Sequence, residues 1–412
     1  MREVGVINNL LTGRKHILCK NQLNHHRLWH KTAFFQPLAL FVLTFSSKKL
    51  SLRPVLLSEF DYHLPPHLIA QAPPQARDAS RLLVFNRSTQ QIQHKRFSDL
   101  PSLLSPKDLL VLNDSRVVPA RLQGIKEGSG GRVEVFFLQA LSETSMTALV
   151  CPAKRFRSGA TVTLLGKDGN PSGWQCRALE ELGEGRFVLQ LKQEGQIDSV
   201  LDELGSVPLP PYIDRSESGL SKDDLERYQT VYARARGSVA APTAGLHFTD
   251  DLFSKLDQVG IQKTFLTLHV GLGTFSPVKA DHIETHRMHA EHFQISNETA
   301  SRIEAHRHQG GRVISVGTTA TRVLEAVAQQ NQGTVQAGSG ETDIFIYPPY
   351  KFQICQGLIT NFHLPKSSLL MLVSAFLGQG ETSGLPHLHK LYRTAIEEAY
   401  RFYSYGDAML IL

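Results

Sequence analysis

Residues 312–330 read RVISVGTTATRVLEAVAQQ, and this stretch decides the fold class. The mostly apolar run at 312–316 predicts a buried strand, and the pattern typical of a helix begins at once, over 319–329. Thr318 stands where a helix N-cap is expected, so the free N–H groups of the first turn would face a bound anion. A strand that turns directly into a helix is typical of α/β proteins.

The alternation of strand and helix extends over the second half of the chain, from the proline-rich segment VPLPPYI at 207–213 onwards. Such alternation predicts βαβ units around an open sheet. The other predicted strands are 263–270, 344–347 and 357–360, and the other predicted helices are 223–232, 250–259, 297–308 and 368–377.

Residues 121–208 follow a different pattern. Short alternating apolar runs at 133–138, 161–165 and 186–191 are separated by turns such as GSGG at 128–131 and KDGN at 167–170. Short strands with glycine-rich turns predict a small antiparallel β-barrel. Strand patterns also precede this region, at 82–85 and 109–112. The predicted fold is therefore a three-layer α/β main domain, residues 58–120 and 209–412, with the barrel of residues 121–208 inserted into it.

Net charge is unevenly distributed along the chain. The formal charge of the whole chain is +6, but residues 1–57 contain nine Lys or Arg and a single acid, Glu3, which leaves −2 for residues 58–412. Overall basicity is therefore no evidence for RNA binding. Residues 1–57 are predicted to be a disordered extension, or one added by a start codon placed too early.

Cysteine usage and hydropathy predict the compartment. Cys19, Cys151, Cys176 and Cys355 are far apart and form no CxxC pair, which disfavours a disulfide framework and a thiolate zinc site. The apolar run at 34–45 is shorter than the roughly 20 residues that span a bilayer. We therefore expect a cytoplasmic protein in a reducing compartment, with no membrane partner.

Polar side chains stand at the ends of several predicted strands, where open α/β sheets bind ligands. His269 ends the strand at 263–270, on the face opposite its aliphatic residues, and Gly271 and Gly273 follow. Thr318 and Thr319 follow the strand at 312–316. Asn361 and His363 follow the strand at 357–360. A histidine such as His269 is equally often a structural residue with satisfied hydrogen bonds.

The segment GSVAAPTAGLHF, residues 237–248, is unusually rich in small side chains. Small residues permit close backbone contact with a ligand, Pro242 fixes one dihedral angle, and Gly245 permits a positive one. This pattern predicts a substrate-contacting loop that carries Thr243 and delivers His247 to the site. A tight interdomain turn remains the alternative.

Three further clusters contain residue types that occur in metal sites or nucleic-acid-binding surfaces. His286, His289 and Glu291 have the types of a metal site, but their spacing is not the i, i+4 pair of helical zinc motifs, so a polar site is preferred. Lys154, Arg155 and Arg157 flank Phe156, as in single-strand nucleic-acid surfaces or in a solvated loop. The aromatic segment YRFYSYGDAM at 400–409 suits base stacking, although buried packing is favoured.

Read in order, motifs from about residue 59 to residue 411 resemble the S-adenosylmethionine:tRNA ribosyltransferase-isomerases of queuosine synthesis. The matching segments include FDYHLPPHLIAQ, LVLNDSRVVPARL, VPLPPYI, GSVAAPTAGLHF, TLHVGLGTF, HRMHAEHF, VISVGTTATRVLE, LITNFHLPKSSLLMLVSAF and YRFYSYGDAM. Two positions depart from the usual pattern, namely Pro349 in YPPY and Cys151 before PAKR.

The resemblance implies a large α/β domain with an inserted β-barrel. It also implies a monomeric enzyme with S-adenosylmethionine as co-substrate, no prosthetic group and no metal. Its reaction would transfer and isomerise the ribosyl group onto 7-aminomethyl-7-deazaguanine at the tRNA wobble position, giving epoxyqueuosine and releasing adenine and methionine.

Residue chemistry then suggests roles. His247 and His269 are the leading acid and base candidates, because a histidine pKa lies near neutrality. Asp114 and Arg116 would place substrate, with Asp114 also counted as catalytic. Thr318 and Thr319 would hold an anionic group such as the methionine carboxylate. The remaining residues expected to contact substrate or RNA are Thr243, Gly245, Gly271, Gly273, His286, His289, Glu291, Asn361 and His363 for substrate, and Lys154, Arg155 and Arg157 for RNA.

Two other classes of protein remain as alternatives. A metal-dependent hydrolase would be centred on His286, His289 and Glu291. A non-catalytic RNA-binding protein would rely on the basic segment at 154–157.

Overall fold

A computed structural model describes residues 55–215, 222–271, 273, 278 and 280–412. These residues belong to the second of two compact units, Arg53–Leu412. The apolar run at 34–45 and nearly all of the predicted extension at 1–57 lie outside the described residues. Within the described part of the chain, no helix has the length and apolar character needed to cross a bilayer.

Nine strands of the described chain form one mixed sheet at the centre of the main domain. In spatial order they are Gly338–Thr342 (β15), Glu291–Ile295 (β13), Gln262–Leu268 (β12), Asp108–Asn113 (β3), Arg312–Val316 (β14), Gly357–Asn361 (β16), Ala408–Ile411 (β17), Arg81–Phe85 (β1) and Ile92–Arg96 (β2). The neighbours β12, β3, β14 and β16 run parallel, so their carboxyl ends share one edge of the sheet.

Helices cover both faces of this sheet. The helices of the described chain are Leu100–Leu103 (α1), Ile197–Leu204 (α2), Lys222–Arg227 (α3), Asp250–Gln258 (α4), Asn297–His308 (α5), Gly317–Gln330 (α6), Ser368–Gly378 (α7) and Gly384–Glu397 (α8). Of these, α1 and α4 cover one face of the sheet and α5 to α8 cover the other. In β3, Leu109 and Val111 pack towards α5 to α8, whereas Leu110 and Leu112 pack towards α1 and α4. Each fully buried Leu or Val contributes roughly 1.5–3 kcal/mol. The predicted three-layer α/β architecture is confirmed.

The inserted module is a closed six-stranded antiparallel barrel in the described chain. Its strands are Arg121–Lys126 (β5), Arg132–Ala140 (β6), Ser145–Cys151 (β7), Thr161–Leu165 (β8), Pro171–Gly183 (β9) and Arg186–Leu191 (β10). Helix α2 packs Val200 and Leu201 against the barrel core. A short parallel pair, Ser115–Val117 (β4) with Ala235–Ser238 (β11), lies where the chain enters the barrel and where it has returned to the main domain. The predicted inserted barrel is confirmed, whereas the exact domain boundaries stay a prediction.

Two predicted elements are wrong. Residues 344–347 form no strand, because the ladder beside β13 is completed by β15 instead, and Ile346 is buried in the core without pairing. The helix predicted over 223–232 ends at Arg227, where tertiary contacts override propensity: Tyr228 turns into the core, and the Arg227 carbonyl lies within reach of Arg77. Strands β13 and β17 and helix α8 were not predicted.

Candidate functional site

A small cavity of about 80 Å³ lies at the carboxyl ends of β14 and β16, and we call it the inner cavity. Its lining residues include Tyr212, Tyr228, Ala240, Ala241, Pro242, Thr243, Ala244, Val270, Gly317, Thr318, Thr319, Thr360, Asn361, Phe362, His363, Tyr403 and Ser404. The structure therefore brings together Thr243, Thr318, Thr319, Asn361 and His363, as predicted. It adds Tyr212 and Tyr228, which no local sequence pattern marked as site residues.

Helix α6 points its N-terminus into the inner cavity, but Thr318 is not its N-cap. The helix begins at Gly317, which has a φ of +88°, and the N-cap position is occupied by Val316, whose side chain makes no capping bond. The glycine makes the strand-to-helix turn itself, so Thr318 and Thr319 lie within the first turn. The helix end is thus without a side-chain cap, and first-turn N–H groups are the feature that binds anions.

Two buried polar atoms that line this cavity have no hydrogen-bond partner in the described chain. They are the Thr319 Oγ1 and the Asn361 Oδ1, in residues that are 9% and 2% exposed. A buried polar group without a partner costs roughly 1–3 kcal/mol. Such groups gathered around one cavity are typical of a site that a ligand completes.

The amide of Asn361 has a fixed orientation. Its Nδ2 lies 3.1 Å from His247 Nε2 and 3.3 and 3.4 Å from the carbonyl oxygens of Tyr403 and Asp407. All three neighbours are acceptors if His247 carries its proton on Nδ1. That tautomer is favoured because Nδ1 lies 2.8 Å from Ser80 Oγ, which itself donates to the Arg77 carbonyl. The Asn361 carbonyl oxygen is therefore the atom left for a ligand.

His247 does not line the inner cavity. It is 2% exposed, its ring stacks on Phe97 with centroids 4.9 Å apart, and burial lowers its pKa to about 4. The predicted loop at 237–248 thus contacts the cavity through Ala240 to Ala244, while His247 lies behind Asn361. Gly245 was expected to adopt a positive φ, but it does not. It is required because a Cβ there would approach the Tyr232 hydroxyl to 2.0 Å.

A wider cavity of about 690 Å³, which we call the outer cleft, lies between the barrel and the ends of β12 and β13. The barrel contributes Phe137, Leu138, Gln139, Ala140, Thr147, Leu149, Leu182, Glu184 and Arg186, and the main domain contributes Arg236, Gly237, His269, Val270, Gly271, Gly273, His289, Glu291 and His292 among others. Val270 lines both the outer cleft and the inner cavity, so the two adjoin at this residue.

His269 directly precedes Val270 in the chain and lines the outer cleft. The pKa of His269 is lowered mainly by burial and to a smaller extent by His292, whereas the nearby Asp114 carboxylate raises it. Its Nδ1 is buried and has no partner among the described residues. Asp114 is held in place because its Oδ1 accepts from Thr267 Oγ1 at 2.7 Å and its Oδ2 accepts from Arg234 at 3.1 Å. A neutral imidazole beside a fixed carboxylate can accept a proton.

The cluster at 286–292 is not arranged as a metal site. Glu291 is buried, accepts from the Gly271 N–H at 2.9 Å and forms an ion pair with buried Arg322. His286 packs edge-on against Phe345, and burial and His289 lower its pKa. In the described ranges, no three His, Cys, Asp or Glu side chains are grouped to hold an ion. His289 reaches the outer cleft, but His286 does not line it.

Other predicted residues lie outside both cavities. Arg116 is exposed on β4. Lys154, Arg155 and Arg157 are exposed on the barrel, but the aromatic between them is not available for base stacking, because Phe156 is 1% exposed and packs on Phe187. The C-terminal aromatic segment is buried, which is the alternative to base stacking that the sequence favoured. It supplies Tyr403 and Ser404 to the inner cavity.

The three-layer fold, its inserted barrel and the two adjoining cavities define an α/β protein with a candidate ligand-binding site at the carboxyl ends of its parallel strands. A family model described as "Queuosine biosynthesis protein" matches residues 57–411. The chain therefore belongs to the queuosine biosynthesis protein family, which confirms the resemblance drawn from its motifs. The chain is also similar to an S-adenosylmethionine tRNA ribosyltransferase from Thermotoga maritima, with 35% identity, coverage of 86% of this chain and 100% of that chain, and a TM-score of 0.48.

Proposed function

We propose that this enzyme transfers and isomerises the ribosyl group of S-adenosylmethionine onto 7-aminomethyl-7-deazaguanine at the wobble position of tRNA. The products would be epoxyqueuosine in tRNA, adenine and methionine. The observation that carries the proposal is the junction at Val270, where a small cavity with unsatisfied buried polar atoms meets a cleft wide enough for a nucleotide. Two substrates of different size would meet there.

The sulfonium of S-adenosylmethionine acidifies the adjacent 5′ hydrogens of the ribose. In the proposed first step, neutral His269 removes one of these protons, and the electron pair stays on carbon as an ylide-like nucleophile. The Asp114 carboxylate stabilises the resulting imidazolium, consistent with its effect on the His269 pKa. Adenine departs as a neutral base only if it is protonated, and the imidazolium is a proton source for this step.

The tRNA would approach from the barrel side of the outer cleft. Arg186 and Arg236 line this cleft but form ion pairs with Glu184 and Asp198. The phosphate contacts are therefore assigned to the exposed Lys154, Arg155 and Arg157 elsewhere on the barrel. The proposal includes a monomer, because residues of one chain line both cavities, and action in the cytoplasm, where tRNA is modified.

The test is an incubation of the purified protein with S-adenosylmethionine and tRNA that carries the deazaguanine precursor. Adenine release is measured by chromatography, and the nucleoside is analysed by mass spectrometry. We expect adenine only when both substrates are present, together with the mass of epoxyqueuosine. tRNA that carries guanine at the wobble position is the control. Folded protein that yields neither product would contradict the proposal.

A further inference from the structure

We infer that the inner cavity is a subsite for a zwitterionic α-amino acid group, with the α6 N-terminus binding the carboxylate and Asn361 Oδ1 accepting from the ammonium. This inference rests on the proposed function and deepens it, because it assigns the methionine end of S-adenosylmethionine to this cavity. The ribose and adenine would then extend past Val270 towards the outer cleft.

The charge of the cavity is the first argument. None of its lining residues in the described chain is Asp, Glu, Lys or Arg. Burial lowers the pKa of His363 to about 3, so this histidine is neutral at pH 7. A phosphate or an isolated cation would find no countercharge there. A zwitterion needs none, because its charges are adjacent and can be met by hydrogen bonds and helix dipoles.

The spacing of the two binding groups is the second argument. Strands β14 and β16 are parallel neighbours in which Val316 pairs with Ile359. Thr318 and Asn361 each follow two residues later, so they lie on adjacent chain segments, and adjacent strands are about 4.8 Å apart. An amino acid carboxylate at one segment would place its ammonium within reach of the other.

His247 is assigned as a positioning residue for this subsite. Its Nε2 accepts from the amide of Asn361, and its Nδ1 is held by Ser80. Without this acceptor, only the longer contacts with the Tyr403 and Asp407 carbonyl oxygens, at 3.3 and 3.4 Å, would hold the amide. A rotated amide would offer its NH₂ group to the cavity, where it would repel an ammonium. The histidine therefore acts on the ligand through Asn361.

Equilibrium binding without tRNA tests the inference, with L-methionine, 4-methylthiobutanoate and adenine as probes. 4-Methylthiobutanoate lacks only the ammonium group. We expect the protein to bind L-methionine at least about tenfold more tightly than 4-methylthiobutanoate, the value of one good hydrogen bond to a charged group. Asn361→Ala should abolish this preference and leave the affinity for adenine unchanged.

Two further variants keep the test decisive if Asn361→Ala does not fold. Thr319→Val, which removes an unsatisfied hydroxyl beside the proposed carboxylate, should weaken both methylthio ligands and spare adenine. His247→Leu, which removes the acceptor for the Asn361 amide, should reduce the preference and raise KM for S-adenosylmethionine more than it lowers kcat, whereas a merely structural defect would weaken both ligands equally.

Equal affinities of the unmodified protein for the two methylthio ligands would overturn the inference, as would an effect of Asn361→Ala on adenine instead of methionine. Failure to bind methionine, in protein that still modifies tRNA, would refute the subsite and leave the proposed function intact. Failure to modify tRNA, with methionine bound as expected, would refute the proposed function alone.

Discussion

Gly237 and His269 are so close that a Cβ on Gly237 would lie 3.1 Å from the His269 ring. Gly237 also has a φ of +132°, which side-chain-bearing residues rarely adopt. The first residue of the small-residue loop thus forms the wall against which the proposed base rests. Glycine is required at this position by both space and backbone conformation.

Gly237→Ala is therefore expected to displace the His269 ring and lower kcat by about 10-fold to 100-fold. Gly338→Ala is a matched control, because Gly338 has a φ of +157° but a Cβ there would meet no described atom within 4 Å. Steady-state adenine release from both variants gives the comparison. An equal loss in the two would mean that backbone strain, not the contact with His269, is responsible.

His269→Gln should lower kcat by at least about 100-fold if His269 is the general base. The pH profile of the unmodified enzyme should fall on the acidic side below pH 6.5, because burial holds the pKa of His269 below its ordinary value. His292→Gln is the control, because it removes the stacked neighbour, 6.1 Å away between ring centroids, but keeps the proposed base. It should retain most of the rate and raise the pKa of the acidic limb, since His292 lowers the pKa of His269. A full rate in His269→Gln would reject this assignment.

Asp114→Asn should move the acidic limb of that profile to lower pH. The carboxylate raises the pKa of His269, so its removal lets this pKa fall further. The kcat at neutral pH should also fall, because the imidazolium loses its countercharge. If the acidic limb of the kcat–pH profile moved to higher pH instead, this result would contradict the proposed role of Asp114.

The buried His247 makes the free energy of unfolding of the protein depend on pH. Burial lowers its pKa to about 4 from 6.5, so the unfolded chain binds the proton more readily. Its contribution to stability is complete above pH 6.5 and is lost as the pH falls towards 4. Between pH 7 and pH 5 the loss is about 2 kcal/mol. Urea unfolding at the two pH values should show a smaller loss in His247→Gln than in the exposed control His67→Gln.

The basic segment of the barrel predicts a salt-dependent contribution to tRNA binding. Arg155→Glu should weaken binding, and the slope of log affinity against log salt should fall by about 1, the effect of one phosphate contact. Lys192→Glu makes the same charge change at another exposed barrel position and should have a smaller effect. Equal effects would mean that net charge, rather than this segment, governs binding.

Local pattern was sufficient to predict most of the fold. The strand at 312–316 and the helix at 297–308 have the predicted bounds. The apolar pattern and the capping residues that determine these bounds lie within or directly beside each element. The strand at 291–295 was missed because its histidine and glutamate suggested a polar site. Its alternating burial, with Phe293 and Ile295 inside, depends on pairing with β15, which lies more than forty residues later.

The site was predictable only in part, for a similar reason. Thr319 and Asn361 follow strands and could be assigned to one sheet edge. Tyr228 reaches the same cavity from an irregular segment, and no periodicity marks it. The position of His247 behind Asn361 depends on contacts with Ser80 and Phe97, which are far away in sequence.

The most direct test of the central claim follows the ribosyl group itself. S-adenosylmethionine labelled with ¹³C throughout its ribose is incubated with the enzyme and precursor tRNA, and products are quantified by mass spectrometry. We predict that the complete label appears in the modified nucleoside, with adenine and methionine released in equal amounts. Label retained in S-adenosylhomocysteine, with only a methyl group transferred to tRNA, would contradict the account.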